Sequence, residues 1–168
     1  MEELQEKPSN NGDNFGLHMV NAFDVSDENI SNRKVCVMDS GYDTSNRHLP
    51  TTNLTGWSPS NFGSTINWNK DDNGHGTHVP VAGIIVATND NKSGMQGVIR
   101  NGQLPLFISK IQQGPKIKRI SFVCEALHEC VDKGANIINM SIHVYESDCL
   151  KVAIDKAVQN DVLLIAAA

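Results

Sequence analysis

Short apolar runs alternate with helical periods and polar stretches along this chain. Val35–Met38 is a continuous apolar run rich in β-branched residues, and Asp39, Ser40 and Gly41 close it. A run of that kind fits a central parallel strand buried on both faces. Leu104–Ile111 reads as a second core strand, Asn136–Ile142 as a third and Val162–Ala168 as a fourth, with a short strand near Asn53–Trp57. Ile120–Lys133 places Ile120, Val123, Cys124, Leu127 and Val131 at helical spacing, and Gly134 supplies its stop. Ser147–Gln159 repeats the pattern with Leu150, Ala153, Ile154, Ala157 and Val158. The small-residue run Val79–Ala87 reads as a buried helix, and Phe15–Phe23 as a short helix or turn on the sheet edge. Strands alternating with helices predict an α/β fold, a parallel sheet flanked by helices with right-handed crossovers.

The 168 residues suffice for one domain with a real core. Residues 1–13 are polar and read as a flexible N-terminal arm, which leaves 14–168 as the domain. That arm has no apolar stretch of the kind a signal peptide needs. No apolar run reaches the ~18 residues of a membrane span. The net charge of −5 is dispersed and points to neither nucleic acid nor a membrane surface as partner. The cysteines are Cys36, Cys124, Cys130 and Cys149, with no Cys-x-x-Cys pair to suggest zinc or redox chemistry. Cys36 lies within the first strand and reads as a small buried hydrophobe. Cys124 and Cys130 point to different faces of one helix, and disulfide pairing is left open.

Two stretches carry candidate chemistry. Asp39 ends an apolar strand at a glycine turn, and open α/β sheets gather their sites at the carboxyl ends of strands. Read blandly, it is a turn aspartate bonding its own backbone. Asp72–Gly83 sets His75 between two glycines just before the apolar run, at the end of a loop with its ring free to face a cleft. The bland reading is a structural histidine. Together, an imidazole titrating near neutrality and a buried carboxylate make a general base with its orienting partner. Asp43 and Asp72 are alternative acids, but neither ends an apolar strand, and His78 reads as structural.

Asp39-Ser40-Gly41 after an apolar strand, His75-Gly76-Thr77-His78-Val79 followed by Ala82-Gly83, Asn139-Met140-Ser141 ending a strand, and the terminal Ala166-Ala167-Ala168 occur in this order. In these four motifs the chain resembles the subtilisin-like serine proteases from about Asn14 onward. The resemblance implies a three-layer α/β/α fold, incomplete here, and a serine-type endopeptidase working through an Asp-His-Ser triad. Asp39 and His75 take the acid and base positions. Ser141, Ile142 and His143 fall on one substrate-binding edge, and Lys116, Ile117 and Lys118 on the opposite one. Protein or peptide substrates, secretion, and a propeptide in the full-length protein are further implications.

The oxyanion asparagine and the Gly-Thr-Ser-Met-Ala nucleophile motif of that family do not occur in these residues, so the chain reads as an excised piece, inactive alone. Three departures stand inside the matching part. Pro80 and Val81 are additional to the family's spacing, His143-Val144 replaces a Gly-Gly pair, and Lys116–Lys118 replaces a Gly-Ser-Gly-like edge. The chemistry requires no cofactor. A weakened calcium site is expected at most, because His48 occupies the position of the family's acidic ligand while Asn89-Asp90-Asn91 keeps oxygen donors. A degenerate, non-catalytic homologue that binds peptides or partners is the alternative. A flavodoxin-like binding domain is a weaker one, since Asp39–Tyr42 is no glycine-rich phosphate loop.

Overall fold

The computed structural model describes residues 14–60, 67–77, 81–88, 96–113, 116–117 and 119–167. His78, Val79, Pro80, the Asn89–Asn91 turn, Lys118 and Ala168 lie outside the described residues.

Five strands form one parallel sheet: β1 (Val35–Asp39), β2 (Leu54–Trp57), β3 (Leu106–Lys110), β6 (Ile137–Met140) and β7 (Leu163–Ala166). Their spatial order is β2-β3-β1-β6-β7. Two short strands, β4 (Gln112–Gln113) and β5 (Lys116–Ile117), pair antiparallel just beyond β3. After β1 the chain builds β2 and β3 on one side and then crosses to place β6 on the other. The carboxyl end of β1 is therefore a topological switch point, where crevices open in doubly wound sheets.

Helices cover both faces, and β1 shows why its run is unbroken. Cys36 and Met38 pack with Phe107 and Ile138 beneath α3 (Ile120–Asp132) and α4 (Asp148–Gln159). Val35 and Val37 pack with Leu106 and Ile108 against Val81, Ala82 and Val86 of the α2 region (Ala82–Val86) on the other face. With period-2 alternation feeding two cores, no position of β1 can be polar before its end. Val123, Cys124, Leu127 and Cys130 place the apolar stripe of α3 inward. Gly134 at φ +75° ends that helix, with its amide bonded to Val131 O and that of Ala135 to Cys130 O. This is the left-handed closure that favours glycine. The Ser147 hydroxyl accepts from Leu150 N and caps α4.

Several expectations need correction. Cys36 is no mere hydrophobe: it is bonded to Cys130, tying the central strand to α3, while Cys124 is bonded to Cys149 and ties α3 to α4. The third strand stops at Met140, freeing Ser141 and Ile142 from the ladder. The fourth strand is shorter than its apolar run, spanning Leu163–Ala166 beside β6. Of the Val79–Ala87 run, the described helix is Ala82–Val86, and the Ala82 amide reaches back to Gly76 O at 3.1 Å. The Phe15–Phe23 segment forms α1 (Phe15–Met19) and enters a 3₁₀ turn at Ala22–Asp24. Arg100 holds it by donating to Ala22 O and Val25 O.

Candidate active site

Asp39 is the last residue of β1, aligned beside Lys110 of β3, and is fully buried. Its Oδ1 accepts from Ser40 N at 2.6 Å. His75 Nδ1 lies 2.8 Å from Oδ1 and 2.9 Å from Oδ2 of the same carboxylate. A carboxylate only accepts, so Nδ1 carries the proton and Nε2 is the ring nitrogen left to exchange one. Burial pushes the Asp39 carboxyl above the usual carboxylate range, and the bonds to His75 and Ser40 oppose that rise only in part.

The two glycines beside His75 have different tasks. Gly74 turns the chain at φ +84°. Gly76 crosses the β1 turn so closely that a Cβ there would overlap the Gly41 carbonyl oxygen and stand 3.1 Å from Asp39 Cβ. Only glycine lets the His75 loop approach Asp39 along this path.

The side chain of His75 is 41% exposed and opens on a cleft of about 790 Å³. Ser141, Ile142, His143 and Ile117 all line this cleft. Ser141 is positioned by Asn139, whose Nδ2 donates to its hydroxyl at 2.9 Å. His143 makes an edge-to-face contact with Tyr145 at 5.5 Å between ring centroids. Lys116 stands in β5 beside Ile117. Sequence reasoning missed Arg119, Tyr145 and Glu146, which also line the cleft; no periodicity or motif singles them out.

The alternative acids are engaged elsewhere. Asp43 accepts from its neighbour Ser45, the local turn bond that such residues favour. Asp72 pairs with Lys110 Nζ at 3.0 Å. Lys110 itself is only 1% exposed and also donates to Lys70 O at 2.6 Å. Asp71, also overlooked, accepts from Asn73 N and Gly74 N and gathers the loop before His75. Its Asp-x-x-Gly setting is the signal that could have found it. At the candidate calcium position, His48 Nε2 accepts from Arg47 Nε at 3.3 Å. An imidazole beside a guanidinium does not fit a hard cation that takes oxygen ligands.

Residues 31–168 match the model of the subtilase family, peptidase S8. Subtilisin DY of Bacillus licheniformis is 31% identical over 157 residues, covering 92% of this chain and 54% of that protein. The major intracellular serine protease of Bacillus subtilis (strain 168) is 36% identical over 144 residues, covering 82% of this chain and 42% of that protein. Among solved structures, the psychrophilic subtilisin-like protease Apa1 from the Antarctic psychrotroph Pseudoalteromonas sp. AS-11 superimposes with a TM-score of 0.79 at 36% identity. That superposition covers 92% of this chain and 35% of the Apa1 chain. The chain thus spans between about a third and a half of the length of these three relatives. The family match, the sheet topology and the superposition agree: this protein belongs to the subtilase family.

Proposed function

We propose that the protein is a serine-type endopeptidase in which Asp39 and His75 are the acid and base of an Asp-His-Ser triad. One observation carries the reading: a fully buried carboxylate holds Nδ1 of a half-exposed histidine at the mouth of a cleft. His75 would take the proton of a serine hydroxyl as it attacks a peptide carbonyl, then return it to the leaving amine. Asp39 would hold the tautomer and stabilise the imidazolium. These are proton and acyl transfers, for which the side chains suffice without a cofactor. The extended peptide would lie between Ser141–His143 and Lys116–Lys118.

None of the serines among these 168 residues stands in a Gly-Thr-Ser-Met-Ala context, so the nucleophile would come from elsewhere in the protein, and these residues alone are expected to be inert. Protein or peptide substrates, and a propeptide in the complete protein, are the partners this reading implies. The names of relatives include both a cell wall-associated and an intracellular protease. The two disulfides favour an oxidising, extracytoplasmic compartment for this chain.

The test is labelling of the protein, produced from its complete reading frame, with a serine-directed fluorophosphonate. Expected is one labelled serine, lost with His75→Ala. Peptide binding to the cleft without any labelling would instead support a non-catalytic binding domain, the reading that His143 in place of glycine favours.

A further inference from the structure

Four donors converge on the half-buried carboxylate of Asp71. Oδ1 accepts from Ser40 Oγ at 2.8 Å, Gly74 N at 2.8 Å and Asn73 N at 3.1 Å, and Oδ2 accepts from Thr77 N at 2.7 Å. Three of these donors flank His75 on both sides in sequence. The fourth, Ser40, is fully buried and follows Asp39 directly. Its hydroxyl is a relay, donating to Asp71 and accepting from Gly76 N at 2.9 Å. Burial opposes a charge on Asp71, yet the donors from Thr77, Ser40, Gly74 and Asn73 outweigh it and hold the carboxyl below its usual range. The group is therefore an anion at neutral pH.

Among the described residues, His75 lies in a turn and the next helix, α2, spans Ala82–Val86. We infer that Asp71 is a positioning residue: through Ser40 and the amides of Gly74 and Thr77 it sets the His75 ring at hydrogen-bond distance from Asp39. This rests on the reading of Asp39 and His75 as a catalytic pair. Lys110 reinforces the grip, because its buried ammonium holds Lys70 O and Asp72 Oδ1 on either side of Asp71. A residue that merely formed the local turn would not need the bond to Ser40, which is 31 positions away. The asparagine variant keeps the shape, loses the charge and turns an N–H toward a cluster of donors.

The experiment compares wild type, Asp71→Asn, Ser40→Ala and Asp39→Ala in the protein produced from its complete reading frame. Proton NMR reads the low-field His75 Nδ1–H resonance, assigned by its loss in Asp39→Ala, and peptide hydrolysis gives kcat and KM. Expected for Asp71→Asn and Ser40→Ala is loss or broadening of that resonance in a folded protein. In both variants kcat should fall about 10²-fold, the cost of ~1 Å of misplacement, with KM within about threefold. If Asp71→Asn does not fold, Ser40→Ala decides on the same criteria. A folded variant that keeps both the resonance and kcat overturns the inference, as does a wild type without the resonance. A resonance lost in the variants of a protein that cleaves no peptide upholds the positioning role and sinks the protease reading. Cleavage unaffected by either variant does the reverse.

Discussion

The hydroxyl of Ser40 accepts the amide proton of Gly76 at 2.9 Å, so the residue after Asp39 is bonded to the residue after His75. Asp39 and His75 thus meet twice, once through their own side chains and once through the Ser40 hydroxyl and Gly76 amide that follow them. A sheet carries Asp39, and the described contacts around His75 come from its loop.

Gly76→Ala should therefore break the site from the backbone outward. Its Cβ would overlap Gly41 O and crowd Asp39. Overpacking of this kind costs roughly 1–3 kcal/mol, and a ring displaced by ~1 Å loses about 10² in rate. Denaturant midpoints and kcat measured together check both; an alanine variant with wild-type kcat would contradict the close approach.

Asp39 and Asp71 should give opposite pH dependences. The folded carboxyl of Asp71 lies below its unfolded value, so its contribution to stability is present above the unfolded pKa and disappears as pH falls through the folded one. Asp71→Asn should accordingly cost most near neutrality and least in acid. The folded carboxyl of Asp39 lies above its unfolded value, so its contribution is complete at low pH and is lost as pH rises through the folded pKa. Asp39→Asn should then gain in Tm relative to wild type as pH rises from the unfolded pKa of that carboxyl through its raised folded one. Thermal melts across that window read both signs, and parallel profiles for the two variants would contradict the assignment.

The two disulfides close loops of different size, with sequence separations of 94 for Cys36–Cys130 and 25 for Cys124–Cys149. Chain entropy assigns each about 2–4 kcal/mol and makes the longer loop worth about 1 kcal/mol more. The double variant Cys36→Ala/Cys130→Ala should show the larger loss of denaturant midpoint. Equal losses would show that local packing, not loop closure, dominates.

His143 should narrow the cleft where the family pattern has glycine. Removing its ring opens the edge between Ser141 and Tyr145. His143→Gly is expected to lower KM for peptide substrates about fivefold, the equivalent of ~1 kcal/mol. An unchanged KM would place the bound peptide elsewhere in the cleft.

Much of this was legible in the sequence where short-range pattern carried the signal. Val35–Met38 announced a doubly buried strand, and the acid ending it was found at the switch point of the sheet. His75 and the Ser141–His143 edge followed from motifs, and they face one cleft. Partners distant in sequence were not legible. Ser40 and Asp71 are 31 positions apart, and Lys110 lies 38 from Asp72. Four cysteines allow several pairings, and spacing alone does not choose among them. An apolar run shows that a helix forms but not where its first hydrogen bond falls, and the described helix of the Val79–Ala87 run is Ala82–Val86.

Whether Asp39 acts through His75 is read most directly by a double-variant cycle on kcat in the protein produced from its complete reading frame. For subtilisin itself the corresponding single changes are known to cost on the order of 10⁶ for the histidine and 10⁴ for the aspartate. Losses of that order are expected for His75→Ala and Asp39→Ala here. The double variant should be no slower than His75→Ala alone, because a carboxylate that only orients the imidazole has nothing to orient once the ring is gone. Losses that multiply, or single variants that leave kcat unchanged, would contradict the assignment of these two residues as one catalytic unit.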